Sequence, residues 1–128
     1  MRKIIGAVAL PAAVLGSVVL MAGTASASAP HLHGCERGSV RPASFNPICN
    51  DGADTVIGLH WAKWSGNADG DGQFYTHMGD YPVHVLAWRV RDGSYTRFLY
   101  HFTHRVPQGL PRSWTIRYNS GRWHGLVV

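Results

Sequence analysis

Residues suited to metal chemistry fall in two places in this chain. His84 and His101 lie at equal distances on either side of Asp92-Gly93. A two-residue turn there sets the two imidazoles opposite each other on one face of a hairpin, with β-carbons about 5 Å apart, near enough to share a transition metal. Two ligands do not complete a site. His60 is the natural third, although nothing in the sequence brings its strand alongside. The second place is Asn67-Ala68-Asp69-Gly70-Asp71-Gly72, which fits the opening of a calcium loop, where side-chain oxygens at alternate positions converge and glycine permits the sharp bend. An EF-hand needs a bidentate acid where Met78 stands and a helix on each side, and the sequence offers neither. A looser cation site from Asn67, Asp69 and Asp71, with Asp80, competes with a plain solvated turn.

Other chemistries find less. The serines fall in loop-like stretches, there is no Gly-x-Ser-x-Gly, and the few acids sit mostly in turns, so no catalytic residue and no cofactor is assigned. Trp61, Trp64, Trp88 and Trp123, with Tyr81, are abundant for the length and suit stacking on sugar rings. Filling a small core is the competing use of the same side chains.

The elements that must position these groups read as strands. Tyr81 to His104 alternates apolar and polar residues on both sides of Asp92-Gly93, the signature of a type I′ hairpin. The register that follows pairs Val90 with Tyr95, Trp88 with Arg97, Leu86 with Leu99 and His84 with His101 on a mixed face. Val83, Val85 and Ala87 then meet Phe102, Tyr100 and Phe98 on a core face. Asp54 to Ser65 is a strand with a possible bulge at Gly58, in which Ile57, Leu59 and Trp61 share one face and His60 and Trp64 the other. Ser65 to Gly72 reads as a polar loop, Gln73 to His77 as a short strand, Arg112 to Asn119 as a strand and Arg122 to Val128 as the last one. No helical period is sustained. The expectation is an all-β fold, a small antiparallel β-sandwich or open barrel of about six to seven strands with one disulfide.

Residues 1–27 have the form of a secretory signal peptide: Arg2 and Lys3, an apolar run, then Ala25-Ser26-Ala27. Residues 28–48 read as an irregular, disulfide-tethered segment and residues 49–128 as the β-domain, with no membrane span after cleavage. Cys35 and Cys49 are the only cysteines, and in a secreted, extracellular chain they pair. The net charge of the whole chain is +5, but Arg2 and Lys3 leave with the leader and the remaining arginines are scattered singly, so nucleic acid is not an expected partner.

Arg41 to Ser44 (RPAS), Cys49 to Gly52 (CNDG), Gly58 to Trp64 (GLHWAKW), Tyr81 to Val85 (YPVHV) and Tyr95 to Phe98 (YTRF) resemble, in order and spacing, a group of small secreted actinobacterial proteins of unknown function. The resemblance implies an exported β-domain and brings no activity with it. In those relatives the Gly-rich stretch carries a further cysteine pair that Ala68 to Gly79 lacks here, which leaves Cys35 as the partner of Cys49. The function expected is a small extracellular binding or envelope-associated module whose partner is a cell-wall glycan or a secreted protein. The alternatives are an enzyme inhibitor acting through the proline-braced Val106 to Pro111 and a metal protein built on His84 and His101.

Overall fold

The computed structural model describes residues 28–35, 38–49 and 52–127, so the expected leader lies outside the described residues. Strands are numbered in chain order: β1 Leu32–His33, β2 Gly38–Ser39, β3 Val56–Trp64, β4 Ala68–Thr76, β5 Gly79–Arg91, β6 Ser94–Phe102, β7 Ser113–Asn119 and β8 Arg122–His124. The first two form a minimal ribbon. The other six form one antiparallel sheet in which every strand pairs with its neighbour in the chain. The all-β expectation holds, with two antiparallel sheets of unequal size, six strands and two.

The central hairpin has the register read from its turn, with His84↔His101, Leu86↔Leu99, Trp88↔Arg97 and Val90↔Tyr95 all opposed. Asp92 (φ 52°) and Gly93 (φ 79°) are both left-handed, as a type I′ turn requires. One residue departs from its face. Tyr95 is fully buried against Trp64, and its hydroxyl donates to the Ser65 carbonyl. The expected alternation is interrupted by Arg89, itself left-handed (φ 60°), whose carbonyl accepts from Thr96 Oγ1 at 2.7 Å.

The largest correction concerns the expected Gly/Asp loop. Ala68 to Gly72 belongs to β4, which continues to Thr76 without a break. Ala68, Gly70, Gly72 and Phe74 point inward and Asp69, Asp71 and Gln73 outward, so the stretch alternates by size as well as by polarity. The glycines are inward because β3 lies too close for a side chain: a β-carbon on Gly72 would stand 2.8 Å from the Ile57 carbonyl, and one on Gly70 2.9 Å from that of His60. β3 approaches this closely because its pairing shifts twice, between Ile57 and His60 around the left-handed Gly58 and again between Trp61 and Lys63. The second shift returns Trp64 to the same side as Trp61, correcting the opposite faces expected for them.

A sheet with an aromatic inner face needs a cover. Residues 28–35 and 38–49 supply it as a strap that places Leu32 and Phe45 in the core beside Val56, Phe74, Phe98, Tyr100, Phe102 and Ile116. His31 bridges Ser94 at one end and Phe45 bridges Val56 at the other. The Cys35–Cys49 disulfide closes the strap on itself, with Cα atoms 4.8 Å apart, and is compatible with an oxidising, extracellular compartment. Among the described residues no helix is long and apolar enough to cross a membrane.

Candidate functional site

With the inner face consumed by the strap and the core, the outer face of the sheet carries the groups with chemical potential. One row crosses five strands: His60↔Asp71↔His84↔His101↔Ser113. His84 Nε2 is 2.9 Å from Asp69 Oδ1 and His84 Nδ1 is 2.9 Å from Asp71 Oδ1. An ionised carboxylate only accepts, and a neutral imidazole has one N–H, so the ring makes both bonds as a donor only in its charged form. All three side chains remain open to water, which screens the pairing. His101 Nδ1 is 2.5 Å from Ser113 Oγ.

This arrangement settles the geometry of the metal candidates. Asp69 and Asp71, as outward residues of one strand, converge on His84 rather than around a cavity, and both nitrogens of that imidazole are taken. His101 is in register with His84 but is turned to Ser113. His60 does come into the same row, with Asp71 between it and His84. Asn67 lies in the β3–β4 turn, where its carbonyl accepts from Ser65 N. Asp80 pairs with Tyr75, four residues along β5 from His84 and so about 13 Å away. Among the described residues no three His, Cys, Asp or Glu side chains converge as a metal-holding group. As a hydrolytic pair Ser113 and His101 are incomplete, because the carboxylates contact the other histidine.

The tryptophans divide sharply. The indole N–H of Trp61 donates to Pro42 O (2.8 Å), that of Trp64 to Pro30 O (2.9 Å) and that of Trp123 to His33 O (2.6 Å), so all three tie the strap to the sheet. Trp114 donates to Asp54 Oδ2 at 3.3 Å and stacks on Tyr100. Trp88 alone stands half-exposed on the outer face with no acceptor for its N–H among the described residues. Beside it lie the half-exposed Leu86 and Leu99 and a shallow depression of about 320 Å³ reaching Lys63, Asn67 and Asp69. Of the four tryptophans expected as ligand contacts, three are structural and one is available. Roomier clefts of about 480 and 510 Å³ border the disulfide and the strap, and no carboxylate is among the described residues of their walls.

Trp88 heads a second row, Trp88↔Arg97↔Arg117. Burial first, and then the charges of Arg89, Arg117 and Arg91, hold the Arg97 guanidinium below its ordinary value. The register places these four cations at one end of the sheet, Arg89 and Arg91 closing β5, Arg97 near the start of β6 and Arg117 opposite it on β7. The scattered positions of these arginines concealed the cluster, since it forms only once β5, β6 and β7 are aligned. In the Val106 to Pro111 loop, Pro107 is buried, Val106 and Leu110 pack on the core, and Leu110 N donates to Pro107 O, leaving Gln108 and Gly109 as the projecting tip.

Compared with family models, with curated proteins and with solved structures, the chain shows no match to any of the three.

Proposed function

We propose that the protein is a small secreted binding module of the extracellular envelope and that the outer face of β4 to β7 is its ligand surface. Support comes above all from the division among the tryptophans: the chain satisfies four indole N–H groups internally and leaves Trp88 on an uncovered face beside Leu86 and Leu99. A rigid sheet presenting one aromatic and two aliphatic side chains inside a polar surround matches the composition of a binding patch, with an apolar centre and a polar rim. The signal-like leader, the disulfide and the resemblance to secreted actinobacterial proteins favour an extracellular setting. The inhibitor reading is less well supported, because a two-residue tip on a turn pinned to the core offers little extended backbone for a protease to engage.

The test is co-sedimentation of the mature protein with insoluble cell-wall polysaccharide and with chitin. Retention that falls at least tenfold in Trp88→Ala, while Trp88→Phe keeps part of it, is the expected result. Retention unaffected by either change, or none on any envelope fraction, would remove this face as the binding surface.

A further inference from the structure

Resting on that reading, we propose that the ligand is an anionic glycan, held with a sugar ring against Trp88 and its carboxylate or phosphate on Arg97 and Arg117, with Arg89 and Arg91 supplying further positive field. Three features of the molecule converge here. First, among the described residues the ion pairs are those of His84, and none of these four arginines has a carboxylate partner. Arg97 Nη1 bonds only to the carbonyl and hydroxyl of Thr96 next to it. Like charges held close without a counter-charge repel, and an arriving anion relieves the repulsion. Second, Trp88, Arg97 and Arg117 are opposed on three adjacent strands. Strand spacing puts the ends of this row about 10 Å apart, roughly the span of a disaccharide. Third, Arg89 adopts a left-handed backbone within the strand, at φ 60°. That conformation is costly for a side chain with a β-carbon, and such residues concentrate where a site demands them.

An acid alone would need only the arginines. A flat aromatic side chain with an unengaged N–H in the same row calls for a ring attached to the acid, and planar guanidinium forks suit carboxylate and phosphate oxygens alike. Asp69, on the wall of the depression beside Trp88, and Asp71 one row further along repel the same ligand and so turn its acid toward the arginines of β6 and β7.

Titration calorimetry of the full mature protein with polygalacturonate, poly(glycerol phosphate), chitin oligomers and a single-stranded oligonucleotide tests this. The expected result is binding of one or both acidic glycans, weakening as salt is raised, and reduced about tenfold by Arg117→Gln, as loss of one charge-assisted contact predicts. Arg117 is exposed, so its variant is expected to keep the fold; Arg97→Gln is the second variant, and Arg105→Gln, at the Tyr81 end, should leave affinity unchanged. Polygalacturonate alone identifies a carboxylate ligand, and poly(glycerol phosphate) alone a phosphate one. Salt-insensitive binding of chitin oligomers equal in wild type and arginine variants overturns the anionic class while the module stands. An oligonucleotide bound as tightly as the glycans overturns the sugar. Absence of binding to every probe overturns this proposal, and the module falls with it only if sedimentation with cell-wall polysaccharide also fails.

Discussion

Tyr100 shows how one side chain serves packing, hydrogen bonding and pH response together. It is fully buried, stacks on Trp114 with ring centroids 4.5 Å apart, and donates to the Asp54 carbonyl at 2.8 Å. Burial first, and then the negative charge of Asp54, push its phenol well above the ordinary 10.0, and burial raises Tyr95 in the same direction. A folded-state value above the unfolded one means that the folded chain keeps a proton the unfolded chain has lost. The associated stability is whole below about pH 10 and drains away as pH rises beyond it. Alkaline titration followed by tyrosinate absorbance should therefore show the Tyr100 phenol ionising only with unfolding and the Tyr95 phenol ionising later than the exposed ones. Tyr100→Phe should lower the unfolding free energy near neutrality by about 1 kcal/mol, through the lost bond to Asp54, and flatten the decline above pH 10.

Among the elements, β4 carries the sharpest requirement. Gly72→Ala places a methyl against backbone that cannot swing aside, so urea unfolding should show a loss of about 1–3 kcal/mol despite the better strand propensity of alanine. Gly66→Ala, in open space in the β3–β4 turn, should stay within about 0.5 kcal/mol of wild type. The contrast explains what could be read beforehand. The β5–β6 hairpin was legible because Asp92-Gly93 and period-two alternation are local signals, and they carried the register of all the outer-face pairs. Only the second half of β4, from Gln73 on, was legible; its first half was not, because Asn-Ala-Asp-Gly-Asp-Gly has the composition of a turn and its glycines answer to the bulged neighbour β3. The pairing of His84 with His101 was likewise accessible, whereas its capture by Asp69 and Asp71 required β4 to be a strand. The arginine cluster depended on the order of three strands, which no short stretch encodes.

At the scale of the whole molecule, the strap is the second layer, and the disulfide limits its freedom when the chain unfolds. Replacing Cys35 and Cys49 together by alanine should cost roughly 3 kcal/mol on the loop-entropy argument, measured by denaturant titration, while the sheet signature in circular dichroism persists. The six sheet strands find their partners in the adjoining stretch of chain, but the bonds that seat the strap join residues 19, 34 and 90 positions apart. Local pairings close quickly and distant ones slowly. The meander should therefore assemble first and the strap dock last. The indoles of Trp61, Trp64 and Trp123 would report the second event in stopped-flow fluorescence, and Phe45→Ala should slow or abolish that late phase while leaving the early one in place.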